Sequence, residues 1–168
     1  FRLECACMLL TALSCVGSAS EAFNAIYEFY AQSPTCRTPM PSGCAGESPS
    51  LYNLRGGTLD ASSGVLNVAV IGRICFADGS NPRLQIDDRA PEPGWRIDIP
   101  QHAGGCLMQL GSRNTDVPSG LCEIERIGVS PCRSLGDLTY SCDTDAASLG
   151  SPVLAHDDHH VIGIHTCE

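Results

Sequence analysis

Short runs of β-forming residues, each followed by Gly, Pro, Ser, Asn or Asp, recur along most of the chain. Residues 65–71 (VLNVAVI) are apolar on both faces, which is typical of a buried strand. Residues 95–99 alternate apolar side chains with Arg96 and Asp98, which predicts a strand with one solvent-facing side. Further strands are predicted at 106–110, 121–128, 138–142, 152–155 and 161–165. Many short strands between turn residues favour an antiparallel barrel or sandwich.

Residues 20–30 carry a mixed signal. Ser20 could cap a helix that has Glu21 in its first turn, whereas the spacing of Tyr27 and Phe29 suits one face of a strand. We interpret this segment as a strand.

Residues 33–57 are rich in Pro, Gly and Ser and contain Cys36 and Cys44. This composition favours a long surface loop, which a disulfide between the two cysteines would close.

The bulk composition describes one compact unit with an acidic surface. The chain has 168 residues, 43% of them hydrophobic and only 5% aromatic, so its core is built largely from aliphatic side chains and cystine. The net charge is −9 and all ten basic residues are Arg. Nucleic acids and anionic membranes need clustered positive charge, so neither is predicted as a partner. No stretch approaches the ~20 apolar residues of a membrane span.

Eleven cysteines point to disulfides and an oxidising compartment, because no pair of CxxC motifs offers zinc-finger spacing. We therefore expect a secreted or cell-surface protein. The count is odd, so at least one thiol is free or pairs outside the chain. The apolar run 8–16 imitates a signal peptide, but Cys15 within it and the absence of an initiating Met argue against that interpretation.

Residues 143–154 (DTDAASLGSPVL) resemble the D-T-x-G-G-x-S-G-S-P-V-L segment of the trypsin-like serine proteases, especially their glutamyl-endopeptidase-type branch. The resemblance puts Leu149 at the nucleophile position. TALSCV at 11–16 is similar to T-A-x-H-C-V and puts Ser14 at the position of the general base. LNVAVI at 66–71 is similar to the strand D-x-A-L-L and puts Asn67 at the position of the orienting Asp.

Two further segments follow in the same order. IPQHAGG at 99–105 is similar to the I-P-Q-H-P-x-G segment that opens the second barrel of these proteases. VIGIH at 161–165 is similar to V-I-G-I-H, in which the His, here His165, helps to bind an acidic side chain of the substrate.

The resemblance implies an all-β, chymotrypsin-like fold of two six-stranded antiparallel β-barrels, incomplete at both termini. Residues 1–90 would form the N-terminal barrel with the cystine-pinned loop 33–57, and residues 91–168 the C-terminal barrel. The two would make one compact unit.

The triad chemistry needs an ionisable nucleophile, an imidazole and a carboxylate. Leu149, Ser14 and Asn67 supply none of these, so we expect no catalytic residue and a serine protease homologue that is not an enzyme, a pseudoprotease. Ala147 stands at the usual oxyanion-hole Gly, and its Cβ disfavours a positive φ.

The alternative is an active serine endopeptidase that prefers acidic residues and uses Ser148 as its nucleophile. Ala-Ala-Ser-Leu-Gly echoes a G-x-S-x-G elbow, but that elbow belongs on a strand-to-helix turn. Ser148 also needs a base within reach, and no histidine lies in the base segment.

The remaining histidines have simple structural explanations. His165 fits a partly buried side chain bonded to a backbone carbonyl, with carboxylate binding as the weaker alternative. His156, His159 and His160, with Asp157 and Asp158, could ligate a metal, but a polar hairpin turn accounts for them. We therefore predict no metal and no cofactor.

Plausible disulfides are Cys7–Cys15, Cys36–Cys44 and Cys122–Cys142, although connectivity cannot be read from a sequence.

The function that these features favour is an extracellular structural or protein-binding module. It would be a subunit of a secreted assembly, or a decoy that binds a protease inhibitor or another protein partner. The odd cysteine favours the assembly.

Overall fold

The computed structural model describes residues 7–29, 52–76, 83–129 and 136–167. They form strands with very little helix, which confirms the all-β prediction. The strands are β1 (Met8–Ala12), β2 (Tyr27–Phe29), β3 (Tyr52–Leu54), β4 (Thr58–Ser63), β5 (Val68–Gly72), β6 (Ile97–Gln101), β7 (Gln109–Gly111), β8 (Ile124–Val129), β9 (Asp137–Tyr140), β10 (Pro152–Ala155) and β11 (Val161–Ile164). The helices are α1 (Ala19–Asn24) and a 3-10 turn at Ala103–Gly105.

All pairings within the sheets are antiparallel. One sheet has the order β1-β5-β4, a second has the order β11-β10-β6-β7, and β2-β3 and β8-β9 form two separate pairs. No sheet closes on itself within the described ranges. The six-residue helix α1 is far shorter than the ~20 residues that a bilayer requires, and no described helix could cross one.

The β4–β5 hairpin corrects the predicted strand 65–71. Val65 and Leu66 are exposed in the turn at 64–67, and the strand begins only at Val68. Asn67 closes the turn with φ 50°, a left-handed conformation that Asn tolerates better than most residues. Strand β4 was not predicted at all, because its sequence TLDASS is polar and poor in β-formers. Its pairing with the apolar β5 holds it in the sheet.

The interpretation of 20–30 as a strand is wrong for its first half. Helix α1 occupies Ala19–Asn24, and only Tyr27–Phe29 is a strand. The cap is Ser18 rather than Ser20: the Ser18 hydroxyl accepts a hydrogen bond from the Glu21 N–H at 3.2 Å. The Glu21 carboxylate in turn accepts one from the Gly17 N–H at 2.9 Å. This arrangement resembles a capping box, with the N–H of the residue before the cap in place of that of the cap itself, and it decides in favour of the helix.

Two other predicted segments are partly corrected. The C-terminal end of the predicted loop 33–57 is the strand β3, which pairs with β2. The predicted strand 106–110 begins late, because the 3-10 turn precedes it and β7 covers only Gln109–Gly111.

Two groups of buried side chains form the core, one from residues before position 90 and one from residues after it. The first comprises Val16, Ala22, Tyr27, Ala69, Ile71 and Ile74. The second comprises Ile97, Ile99, Cys122, Ile124 and Val153.

Asp98 departs from the predicted alternation of β6. Its side chain is 3% exposed, although the pattern placed it on a solvent-facing side. Strand β6 lies between β10 and β7, and residues 97–99 are all buried, so the strand has no open face at Asp98.

The disulfide predictions have three different outcomes. Cys122 and Cys142 are bonded, as predicted, and join the chain on either side of the β8–β9 pair. The Cys7–Cys15 pairing is wrong, because Cys15 is an exposed free thiol. The Cys36–Cys44 pair lies outside the described residues. Three further cysteines among the described residues are disulfide-bonded, namely Cys75, Cys106 and Cys167.

Candidate functional site

The three segments that carry Ser14, Asn67 and Leu149 come together in the structure. The Leu13 N–H donates to the Asn67 carbonyl at 2.9 Å, which joins the base segment to the turn before β5. The Cys15 thiol lies 3.5 Å from the Leu149 carbonyl oxygen, which joins the base segment to the nucleophile segment. Residues far apart in sequence thus come close together, and the three positions remain a prediction of the resemblance.

Two further contacts hold these segments in place. The Asn67 side-chain amide donates to the Thr166 carbonyl at 2.9 Å. Gly150 has φ 87°, and a Cβ built on it would lie 2.5 Å from the Thr11 hydroxyl oxygen. Only glycine fits there, because both the backbone conformation and the close approach of β1 exclude a side chain.

The side chains of Leu149, Ser14 and Asn67 offer little chemistry. Leu149 has no lone pair with which to attack a carbonyl carbon, and Ser14, which is exposed, is not a base near neutral pH. The Asn67 amide is already used as a hydrogen-bond donor to the backbone.

Ser148, the alternative nucleophile, is fully buried. It has no exposed surface, and its hydroxyl donates to the Gln101 side-chain oxygen at 2.6 Å. The same hydroxyl accepts a hydrogen bond from the Asp145 N–H at 3.3 Å. Gln101 is itself buried and donates to the Asp143 carbonyl at 2.8 Å. The hydroxyl therefore braces the turn and has no histidine as a base.

Ala147 adopts the conformation that its Cβ disfavours. Its φ is 70°, so the turn keeps a glycine-like backbone although an alanine stands there. The left-handed region costs an L-residue about 1–2 kcal/mol, which the Ser148 bonds help to offset. Within the described ranges, neither the Ala147 N–H nor the Leu149 N–H donates to a protein acceptor.

His165 follows β11 directly and is buried, with 4% of its surface exposed. Its Nδ1 atom is hydrogen-bonded to the Tyr140 hydroxyl, where a backbone carbonyl was expected. Burial raises the pKa of Tyr140, so this phenol stays neutral. The His165 carbonyl accepts a hydrogen bond from the Gly150 N–H at 2.8 Å, which joins the end of β11 to the nucleophile segment.

The turn between β10 and β11 carries a cluster of three histidines, each close to a carboxylate. The His156 Nδ1 atom lies 2.9 Å from the buried Asp98 carboxylate, and His159 Nε2 lies 3.9 Å from the same oxygen. His160 Nδ1 lies 3.6 Å from the Asp158 carboxylate. Sequence reasoning found the histidines and Asp158, but Asp98 was missed, because nothing in its alternating strand marks it as buried.

Arg89 is a second residue that sequence reasoning missed. Its guanidinium binds the carboxylates of both Asp87 and Asp158 and lies over the Trp95 ring, 5.2 Å from its centroid. The hydrogen bonds from Arg89 lower the pKa of Asp87 to about 2. Arg89 therefore joins the segment before β6 to the β10–β11 turn, and no spacing in the sequence signals this pairing.

Comparison with solved structures identifies the fold. The chain is similar to the crystal structure of an inactive mutant form of Rv3671c from M. tuberculosis, a protein of chymotrypsin-like fold, with a TM-score of 0.56 and 12% identity. The similarity covers 94% of this chain and 64% of that one. The fold is trypsin-like.

Comparison of sequences adds one curated relative. The chain is 25% identical, over 161 residues, to "Secreted RxLR effector protein 73" of Plasmopara viticola. The matched region covers 95% of this chain but only 38% of the effector, so the chain spans well under half the length of that relative. No family model matches the chain.

Proposed function

We propose that this protein is a non-catalytic homologue of the trypsin-like serine proteases, a pseudoprotease. It is secreted and acts as a structural or protein-binding module. We propose that residues 1–90 and 91–168 form two barrels. We also propose that the protein derives from the glutamyl-endopeptidase-type branch of that family.

The main support for this proposal is that Leu149 stands next to a fully buried Ser148. The resemblance puts the aliphatic Leu149 at the nucleophile position, and the neighbouring Ser148 hydroxyl is fully buried and hydrogen-bonded to Gln101. Loss of a triad leaves at most about 10³ to 10⁴ over the uncatalysed rate, from binding and the oxyanion hole alone. A site of this kind supports binding rather than turnover.

Secretion is supported by two independent features. The Cys122–Cys142 disulfide and three further disulfide-bonded cysteines are typical of an oxidising compartment. The curated relative is, by its name, a secreted effector. We propose a protein as the partner of this chain, either as a neighbour in an assembly or as the molecule that a decoy binds.

His165 has a structural role in this proposal. A substrate carboxylate would need to reach its ring, but the ring is buried and bonded to Tyr140. An acidic-residue preference therefore finds no support in the position of this side chain.

A fluorophosphonate probe tests the loss of catalysis directly. The purified protein should remain unlabelled under conditions in which trypsin is fully labelled, because the Ser148 hydroxyl is inaccessible and lacks a base. The Ser148→Ala variant is the matched control. Labelling of the wild type that disappears in Ser148→Ala would establish the active endopeptidase instead.

Light scattering tests the binding role. It measures the molecular mass of the protein secreted into culture medium, before and after candidate protease inhibitors are added. A stable complex at neutral pH would support a decoy, and a defined hetero-oligomer in the medium would support an assembly. A monomer that binds none of the inhibitors and no protein of the medium would contradict both.

A further inference from the structure

Strand β1 lies at the edge of its sheet and directs backbone groups outward. In the order β1-β5-β4 it has β5 on one side and no described strand on the other. The Leu13 N–H donates to the Asn67 carbonyl, and bonded positions alternate along an antiparallel strand. Met8, Leu10 and Ala12 therefore point their N–H and C=O groups away from β5.

Only the first part of this edge is open. A Cβ at position 150 would lie 3.3 Å from the Ala12 nitrogen, so the nucleophile segment covers the edge there. Within the described ranges, no hydrogen bond from outside β5 reaches the backbone of Met8 or Leu10. Their side chains are 71% and 39% exposed. The half-buried Val70, opposite Leu10 on β5, extends this apolar surface.

Two other sheet edges show how this chain protects a strand from unwanted pairing. Strand β4 contains a bulge and the charged Asp60, whose carboxylate lies against Gly72. Strand β11 is covered, because the backbone of Val161 is hydrogen-bonded to Gln85 and Asp87. Bulges, charges and covering segments are the usual means of blocking an edge. The sequence Met-Leu-Leu at 8–10 contains no charge and no proline.

The distribution of charge favours a second copy of the chain as the occupant of this edge. With a net charge of −9, two copies repel each other over most of their surfaces. Residues 5–20 and 61–72, which include β1 and β5, contain no charged residue. Two copies that meet at this edge therefore bring together strands without like charges. A twofold axis also places two identical strands antiparallel to each other.

We propose that two copies of this chain associate through β1, by antiparallel pairing of residues 8–10 across a twofold axis at Leu9. Met8 then forms a hydrogen-bonded pair with Leu10 of the partner subunit, and each such pair exchanges both N–H···O bonds. The two sheets become one continuous sheet, with the Met8 and Leu10 side chains of both copies on its outer face.

The dimer is weak and reversible. Only a few residues of each copy take part, so the contact falls below the roughly 1,200 Å² that stable interfaces bury. The contact does not require the protein to be a pseudoprotease. The fluorophosphonate result and the oligomeric state of the protein therefore test separate proposals.

Sedimentation equilibrium of the full chain, between about 5 and 500 µM, measures the association. We expect the mass to rise from that of a monomer towards that of a dimer. Leu10→Pro should weaken the dimer at least about tenfold, because it removes an outward N–H and no bond to β5. Leu10→Glu should have a similar effect, since it places a carboxylate on the pairing edge.

The matched control is Val65→Glu. Val65 is an exposed apolar residue in the β4–β5 turn, within the same uncharged part of the sequence. This variant has the same net charge as Leu10→Glu and should associate as the wild type does. Circular dichroism spectra that match the wild type show that each variant is folded.

Disulfide cross-linking tests the register of the pairing. Met8→Cys and Leu10→Cys chains are mixed, both with Cys15→Ser to remove the exposed free thiol. In the proposed register the two new thiols face each other on Cα atoms about 5.5 Å apart, which a disulfide can span. Oxidation of the mixture should therefore give covalent dimers, and oxidation of either variant by itself should give far fewer.

The proposal is overturned if the wild type remains a monomer at every concentration, which would leave the edge open to a strand of another protein. It is overturned equally if both Leu10 variants dimerise as the wild type does, or if Val65→Glu alone prevents association. Cross-linking in the mixture that is no greater than in the separate variants would also exclude the proposed pairing.

Discussion

Two adjacent residues have opposite effects on the stability of the turn in the nucleophile segment. Ala147 is in the left-handed region, where an alanine is strained, and Ser148 bonds the turn to Gln101 and to the Asp145 N–H. The strain is tolerated because the buried hydroxyl determines the course of the backbone. The turn is thus held by hydrogen bonds, with no need of a glycine at position 147.

Replacement of Ala147 by Gly should increase the free energy of unfolding by about 0.5–1 kcal/mol, because relief of the left-handed strain exceeds the added chain entropy. Urea unfolding measures the change. The same substitution at Ala61, an exposed strand residue without a positive φ, should lower stability by a similar amount. Equal effects at both positions would contradict the strain at Ala147.

Removal of the Ser148 hydroxyl should cost about 1–3 kcal/mol, since Ser148→Ala leaves the buried Gln101 oxygen without its donor. The midpoint of urea unfolding reports this loss. Ser62→Ala, on the exposed side of β4, should change stability by less than about 0.5 kcal/mol. A neutral Ser148→Ala would show that the hydroxyl does not brace the turn.

In the candidate site, the sequence could predict only those positions that lie within a family motif. Gapless matches around Leu149 and Ser14 predict their positions, and the structure brings the two segments together at Cys15. Asp98 and Arg89 were not predictable, because burial of a charged residue depends on which strands flank β6 and on which turn folds over it.

The element most misjudged from the sequence is helix α1. Its six residues contain little apolar periodicity, so the aromatic spacing of Tyr27 and Phe29 dominated the interpretation. The decisive signal was local: Ser18 followed three residues later by Glu21 matches the capping-box pattern, with a Ser18 Oγ to Glu21 Oε2 bond of 3.0 Å. Strand β4 was missed because its own residues give no strand signal, and its pairing with β5 stabilises it instead.

Ser18→Ala should reduce the free energy of unfolding by about 1 kcal/mol, because the Glu21 N–H loses its capping acceptor. The helix packs Ala22 into the first core group, so the loss is felt in global unfolding. Ser20→Ala, an exposed position inside the helix, is the control and should be close to neutral. If both variants unfold alike, the cap does not stabilise the helix.

The molecule as a whole is acidic, and Arg89 is the cation that joins distant parts of it. It binds Asp87, before β6, and Asp158, between β10 and β11. With a net charge of −9 and only ten arginines, few cations are present to hold carboxylates in this way. Stability in acid should therefore depend visibly on this one residue.

The folded pKa of Asp87 is lowered to about 2 from an ordinary 3.8, so its contribution is fully present above pH 3.8. It disappears as the pH falls from 3.8 through 2, because the protonated carboxyl loses its attraction to Arg89. Circular dichroism during acid titration should show that Asp87→Asn removes this part of the pH dependence. Asp88→Asn, which changes an exposed neighbour without an ion pair to a described residue, should unfold in acid as the wild type does.

The contact between Gly150 and Thr11 has a consequence for how the sequence can vary. A Cβ at position 150 would lie 2.5 Å from the Thr11 hydroxyl oxygen and 3.3 Å from the Ala12 nitrogen. Positions 11 and 150, which are far apart along the chain, can therefore change only together: a larger residue at 150 requires that β1 first move away.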